Sequence, residues 1–478
     1  MTRRQFLKRL GAGVAAACLQ GLGAGTVPAA GTTGGTNRGP DILFIAIDDM
    51  NDWTTLFDPD NPIRTPNLER LAQRGVFFAR AYCPAPACNP SRASIMTGYR
   101  PTTSGVYTNG QPFRKVIPDA VTMPQYFRRH GYSAKGAGKI FHHGGTPRGD
   151  DPSGNSFDAF FKLVHTRAPK PNYNGYTKKQ ERHLASVAWD WGEHTQKMID
   201  IDTVAWIENV MEQTRDRPLF LAAGIFKPHL PFYAPPDVFE RYPIDATRLP
   251  PMPPDDLDDV SDVAKRMAHR EFFIYSNTTK QAPGSPGSLK RMVQCYQASA
   301  DFADSMVGRL LDKLDATGRA DNTIIVLWAD HGYHLGDKES CVKFTLWEKA
   351  NHVPFIIVAP GVTTPGTRCE RPVGLVDIYP TLLELAGLPA KADLDGTSLV
   401  PLLKNPAATW ARPAIMTMGR GNHAVRTQRW RYIRYQDGSE ELYDHDKDPW
   451  EWTNLADDPN CADVIAQLKP YLPKDKPT

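Results

Sequence analysis

The sequence predicts an α/β protein. It has a large mixed, mostly parallel central sheet flanked by helices, and a smaller C-terminal subdomain built on an antiparallel sheet. Three observations carry this. Short continuous apolar runs alternate with amphipathic segments, the pattern of strands buried on both faces. Those runs end in charged or imidazole residues. Beyond residue 405 the pattern changes to strand-like alternation with a hairpin signal.

Taken in chain order, "DILFIAI" is a buried strand that ends in Asp48 and Asp49. "GYSAKGAGKIFHHGG" is a weaker strand that leads to Lys139 and His142. "PLFLAAGIF" ends in Lys227, Pro228 and His229, and "NTIIVLWA" ends in Asp330, His331 and Gly332. "LVDIYPTLLELAGLP" is a late helix of the same domain. "HAVRTQRWRYIRYQ" and "EELYDHDKDP" alternate about Asp437–Gly438. The expected division is a catalytic domain over 40–405 and a small α+β subdomain over 406–478. Residues 144–176, 249–259 and 281–288 are expected to be rim loops, the kind that set specificity over a catalytic edge. Trp189 and Trp191 are candidates for stacking on a flat ligand ring at that edge, with core packing the expected fate of at least one.

With 41% hydrophobic and 23% charged residues, the composition is that of a globular chain able to bury a large core. Residues 1–30 have the order of a twin-arginine signal peptide: "TRRQFLK", an apolar Ala/Gly-rich run, then small residues at a cleavage position. Cys18 follows three alanines rather than a leucine-led lipidation box. The leader carries Arg3, Arg4, Lys8 and Arg9 and no acid. Taking these four from 56 basic residues leaves 52 against 53 acidic ones, a net charge of −1. The basic balance therefore belongs to the leader and gives no support for nucleic-acid binding. No later apolar run approaches the ~20 residues of a membrane span. The expected location is exported, periplasmic or secreted. Six cysteines remain after the leader, at spacings that match neither a zinc pattern nor a disulfide scaffold.

In open α/β sheets, ligands bind outside the carboxyl ends of the strands. One charged strand end is an ordinary helix cap; four of them point to a shared site. Asp48, Asp49 and Asp330 would repel one another unless a cation neutralised them, and calcium or magnesium takes such oxygen ligands. Capping of the next segment is the alternative for Asp48–Asp49. "CNPSRASIMTG" is a short helix, with Asn89 as N-cap, Pro90 as first helical residue and Gly98 at its end. Cys88 then lies at a helix N-terminus, whose dipole favours an anion and lowers a thiol pKa. A Cys83–Cys88 disulfide and a packed thiol are the alternatives.

"CNPSRASIMTG" resembles the sulfatase signature. "IAIDDM", "TPNLERLAQRGVFFARAYCPAPACNPSR", "GKIFHHGG", "KPHLPF", "ADHGYHLGDKESCVKF" and "ELYDHDKDPWEWTNLADDP" follow in the family's order. Sulfatases belong to the alkaline phosphatase superfamily, and the blocks here look most like those of iduronate-2-sulfatases. The resemblance implies a sulfuric ester hydrolase that acts on a sulfated oligo- or polysaccharide, a uronic-acid 2-sulfate for preference. It implies that Cys88 is converted to Cα-formylglycine by a formylglycine-generating maturation enzyme before folding buries it. It also implies one calcium ion, held by Asp48, Asp49, Asp330 and His331 with the modified Cys88 reaching the same ion.

By the same resemblance Arg92 steadies the formylglycine hydrate. Lys139, His142, His229 and Lys343 bind sulfate and handle protons. His142 is the candidate to deprotonate the hydrate and His229 to protonate the leaving alcohol; a structural role is the alternative for each. One hydroxyl of the hydrate would attack sulfur, and the other would expel sulfate by collapse to the aldehyde. Cys341 departs from the bulkier residue that relatives often carry beside Lys343. Two rival functions are a phosphatase or phosphodiesterase of the same superfamily, and a non-catalytic glycan-binding protein with unmodified Cys88.

Overall fold

In this computed structural model the described residues are 39–142, 151, 156–161, 190–195 and 197–476, and Gly39–Thr478 form one compact unit. The leader and most of the 144–176 stretch lie outside the described residues.

Eight strands make the main sheet: β1 (Asp41–Asp48), β2 (Val76–Phe78), β3 (Ser133–Gly138), β4 (Ala159–Phe161), β5 (Leu219–Pro228), β6 (Thr323–Ala329), β7 (Phe355–Val358) and β8 (Thr367–Cys369). Their order is β8-β2-β7-β6-β1-β5-β3-β4, and only β7 runs antiparallel to its neighbours. The apolar runs become strands because the central ones are covered on both faces: every residue of β6, and all of β1 after Asp41, is buried. β1 lies between β5 and β6 in parallel register, with Ile47 opposite Ile225 and Ala329. The strand ends that carry chemistry therefore share one edge.

β3 reads weakly in sequence because its end is built for close approach rather than packing. Gly138 has φ +77°, and a Cβ there would meet the Gly224 carbonyl oxygen at 2.0 Å. The two strands can touch, and the Lys139 N–H donates to the Gly224 oxygen at 3.0 Å.

The helix that starts at the signature spans Cys88–Thr97 and ends on left-handed Gly98, as expected. Its start differs from the expected one. Ala87 is the N-cap, so Cys88, not Pro90, is the first helical residue. Proline is tolerated two positions further in because the first N–H groups of a helix have no intrahelical acceptor. Asn89 is buried and turns to the 108–111 segment instead, its amide donating to the Thr108 and Gln111 carbonyls at 2.8 and 2.7 Å.

Four antiparallel strands follow: β9 (Ala414–Thr417), β10 (His423–Arg426), β11 (Trp430–Arg434) and β12 (Glu440–Asp444), the last two joined through Gly438 at φ +89°. This sheet packs Met416, Ile433 and Tyr443 against Tyr82, Ala87 and Trp347. The Thr417 N–H donates to the Pro84 oxygen at 3.0 Å, and the Phe344 N–H to the Pro86 oxygen at 3.1 Å. The segment ahead of Cys88 is thus gripped from the C-terminal side.

The same junction holds a buried ionic network. Glu348 accepts from Tyr82 Oη at 2.9 Å and Arg426 Nε at 3.1 Å, and pairs with Arg431. Glu451 pairs with Arg431 Nε at 2.6 Å and His445 at 2.8 Å. Glu348, His445 and Glu451 have the spacing of a metal site. The guanidinium groups already take their oxygens, so the cluster reads as a salt-bridge network.

Burial opposes ionisation of Glu348 and Glu451, yet the adjoining arginines hold both carboxyls below their usual range. A depressed folded-state pKa means that the stabilisation is complete above the unfolded value near 4 and is lost as pH falls through the folded one. Glu348→Gln is expected to destabilise by ~3–5 kcal/mol at neutral pH, because it leaves buried guanidinium charge unpaired. It should also flatten the acid limb of a plot of unfolding free energy against pH. An unchanged acid limb would show that this network does not set it.

Candidate functional site

The carboxyl edge of the sheet brings Asp48, Asp49, Cys88, Asp330 and His331 together. One ligand atom from each lies within 4.8 Å of all the others, and all five residues are buried. Asp48 ends β1, and Asp330 follows β6, where its N–H donates to the Ile47 oxygen at 3.1 Å. The Asp330 carboxylate accepts the Asp49 and His331 N–H groups, each at 3.1 Å. Ser91, inside the signature helix, donates to the Asp330 carbonyl at 2.5 Å. The helix is thereby fastened to the acidic strand ends.

Three cations face the three carboxylates. Arg92 donates from Nε to Asp330 at 2.8 Å and from Nη2 to Asp48 at 3.0 Å. Its other contacts are the carbonyls of Lys139 and Ile140. Lys139 pairs with Asp48, and its Nζ lies 3.7 Å from Cys88 Sγ. Lys343 Nζ reaches Asp49 at 2.7 and 3.0 Å and Cys88 Sγ at 3.2 Å. His331 Nδ1 donates to the Gly332 oxygen at 3.0 Å, which leaves Nε2 3.2 Å from Cys88 Sγ.

This setting controls protonation. Burial works against the Cys88 thiolate, yet Lys139, Lys343 and His331 together hold its pKa well below the usual thiol range. Burial likewise opposes ionisation of Asp48, and Lys139 overrides it. Burial pushes Asp330 up to about 7 despite Arg92. For His331, burial is outweighed by Asp330, which lifts the imidazole to about 9. Three buried carboxylates with hard oxygen donors fit a calcium ion. Asp48, Asp49 and Asp330 supply those oxygens, and His331 Nε2 lies 3.4 Å from Asp49 and 3.6 Å from Asp330.

The histidines flank this centre. His142 is half-buried and hydrogen-bonds to Cys88. His229 donates from Nδ1 to the Leu230 oxygen at 2.6 Å, which directs Nε2 inward, 4.0 Å from Asp49. Cys83 does not pair with Cys88: both are free, and Cys83 Sγ faces the Ala350 oxygen and Asn351. Trp191 is a core residue, its indole donating to the Pro286 oxygen at 2.8 Å. Trp189 lies outside the described residues. The 249–259 stretch is irregular and reaches the segment carrying Lys343 through Asp256, which pairs with buried Lys338.

The positioning roles of Tyr296, Asn51 and Lys227 gave no signal in the sequence. Asp49 is left-handed at φ 64°, a costly conformation for a residue with a side chain. Tyr296, from the helix Leu289–Ala316, holds it there. Its hydroxyl donates to the Asp49 oxygen at 2.7 Å and accepts the Asn51 N–H at 3.0 Å. Asn51 in turn donates to the Tyr333 oxygen at 3.0 Å. Lys227 is buried, and burial lowers it to about 8. Its ammonium donates to the carbonyl oxygens of His229 and Pro231 and so fixes the turn that presents His229.

The sulfatase family model matches residues 40–388, and the model of the N-sulphoglucosamine sulphohydrolase C-terminal region matches residues 336–477. A sulfatase of Formosa agariphila is 38% identical over 448 residues, covering 92% of this chain and 87% of the relative. Human iduronate 2-sulfatase is 30% identical over 390 residues, covering 73% and 69%. The structure of BT4656 in complex with its substrate D-glucosamine-2-N,6-O-disulfate aligns with TM-score 0.72 at 22% identity, covering 91% of this chain and 96% of the other.

Proposed function

The chain belongs to the sulfatase family and is a sulfuric ester hydrolase, and from that premise we propose that it removes the 2-sulfate of a uronic acid in a sulfated saccharide, using a residue made from Cys88. The observation that carries this reading is the cation-lined contact of Cys88 with Asp48, Asp49 and Asp330. The choice of sugar rests on the likeness to human iduronate 2-sulfatase. An anionic ester would be repelled by a thiolate, so an unmodified Cys88 is poorly suited to attack it. Conversion of Cys88 to formylglycine by a maturation enzyme would supply a neutral hydrate as nucleophile. A calcium ion held by Asp48, Asp49, Asp330, His331 and residue 88 would supply positive charge against the sulfuryl oxygens.

The chain's own residues do the rest. Lys139 and Lys343, each within 3.7 Å of the residue 88 sulfur, offset the charge of the bound ester. Arg92 is fully engaged by Asp48, Asp330 and two carbonyls, so it steadies the first helical turn and with it the nucleophile. His142, hydrogen-bonded to residue 88, takes a proton from that position. His229 Nε2 delivers a proton to the leaving alcohol. Its Nδ1–H is committed to the Leu230 carbonyl, which keeps Nε2 for that task. Residues 1–30 act as a twin-arginine export signal in this reading, and residues 406–478 as a small subdomain. Among the described residues no helix is long and apolar enough to cross a membrane.

Turnover across a panel of defined sulfated saccharides tests the substrate assignment, with an aryl sulfate and an aryl phosphate alongside. Uronate 2-sulfates are expected to lead, and the aryl phosphate to be turned over far more slowly than the aryl sulfate. Preference for a hexosamine sulfate would sink the uronate assignment. Tyr296→Phe tests the support of Asp49. The calcium concentration for half-maximal activity is expected to rise ~10–100-fold, the usual effect of losing a partner that orients a ligand. An unchanged calcium requirement would remove Tyr296 from this role.

A further inference from the structure

A second polar cavity lies at the opposite edge of the main sheet. It has a volume of about 390 Å³ and is lined by Gln125, Arg128, Arg129, Tyr132, Asp158 and Arg217. Tyr132 immediately precedes β3, Asp158 immediately precedes β4, and Arg217 lies just ahead of β5. The helix Met123–Arg129 contributes the rest. These are the amino-terminal strand ends, whereas the nucleophile sits beyond the carboxyl ends. The six residues of β3 alone separate the two edges by ~20 Å.

The charges of the described lining residues do not balance. Among the described lining residues Asp158 is the only carboxylate, and it is committed to Arg128 Nε at 2.8 Å and to the Ala134 N–H at 2.9 Å. Asp41, whose charge also acts on Tyr132, is paired with Arg215 at 2.5 Å. Arg129 and Arg217 have no carboxylate partner among the described residues. Tyr132 is 2% exposed, yet its hydroxyl has no hydrogen-bond partner among the described residues. Burial together with Asp41 lifts this phenol to about 12, so it stays a donor. A buried donor without an acceptor is costly, and the like charges of exposed Arg129 and Arg217 favour an anion between them. An oxyanion would satisfy both, because guanidinium forks and a phenol donor match the oxygens of a sulfuryl group.

We propose that this cavity is a second anion site, separate from the catalytic centre, that takes a tetrahedral sulfuryl group. The choice of sulfuryl over other oxyanions rests on the sulfated-saccharide reading above. The group comes either from free sulfate, the product of hydrolysis, or from a sulfate ester further along a polyanionic chain. With Arg129 and Arg217 as the free charges and Tyr132 as the buried donor, the site adds affinity without touching the reacting atoms.

The test uses the inactive Cys88→Ala protein, so its outcome does not depend on turnover. Sulfate affinity is measured by calorimetry, and retention by the salt concentration that elutes the protein from immobilised heparin. Adding Arg129→Ala and Arg217→Ala is expected to weaken sulfate binding at least tenfold and to lower the eluting salt concentration. Adding Arg64→Ala and Arg266→Ala, which remove two exposed arginines elsewhere, should do neither. Loss of heparin retention without any calorimetric sulfate signal would assign the site to ester sulfate on a chain; loss of both would include the free ion. In the active protein the Arg129/Arg217 double variant should hydrolyse a small aryl sulfate at the parental rate. The proposal is overturned if neither binding measurement moves, or if the control pair moves both equally.

Discussion

Cys88→Ala is expected to lower turnover by about 10⁴-fold or more, the scale on which removal of a nucleophile acts in an enzyme whose other groups work around it. The fold should survive. Cys88 is fully buried, but the change removes a single sulfur, and the contacts that hold the helix run through Ser91 and Arg92. The cavity left by one atom costs about 1 kcal/mol. Loss of an anion from between Lys139, Lys343 and His331 is offset by the three carboxylates behind it. Circular dichroism and the melting temperature should therefore stay near those of the parent while activity disappears. Retained sulfatase activity in a folded Cys88→Ala protein would refute the nucleophile assignment. Mass spectrometry of the residue 88 peptide provides the companion measurement. Active protein should carry formylglycine there, and an intact thiol in fully active protein would be equally damaging.

Removal of calcium is expected to have the second largest effect. Exhaustive chelation should abolish turnover, and added calcium should restore it. Asp48, Asp49 and Asp330 crowd within 4.8 Å of one another's ligand atoms, and none is more than 1% exposed. Lys139, Lys343 and Arg92 neutralise them pairwise, so the site can stay folded without the ion. Those same cations are then tied to carboxylates rather than available to an ester. Chelation should therefore remove activity before it removes structure, with the unfolding midpoint shifting only modestly as turnover vanishes. Undiminished turnover after complete metal removal would end the reading of this cluster as a metal site.

The central strands were legible because burial on both faces leaves continuous apolar runs, and β1, β5 and β6 lie where those runs predict. Of the residues the structure gathers, Asp48, Asp49, His229, Asp330 and His331 each stand just past such a run, whereas Arg92 and Lys343 were marked only by the resemblance. The helix start was misjudged by two residues because Asn89 and Pro90 form a good local cap sequence. Tertiary contacts won: Asn89 is drawn to the 108–111 turn, and extended Ala87 caps instead. The roles of Tyr296, Lys227 and Ser91 were not legible. Tyr296 lies 247 residues from the carbonyl it holds, and nothing around it in sequence reports that contact. Lys227 was visible as a charge but not as a buried brace for the His229 turn.

The C-terminal sheet's grip on Pro84 sets a timetable for biosynthesis. The strand that supplies the Thr417 bond leaves the ribosome about 330 residues after Cys88, roughly 15–65 s later at ~5–20 residues per second. Until then the loop ahead of the thiol lacks the bond that Thr417 gives to Pro84. If Cys88 is converted as proposed above, late synthesis of the last seventy residues would work as a delay, leaving the thiol open to modification until the chain is complete.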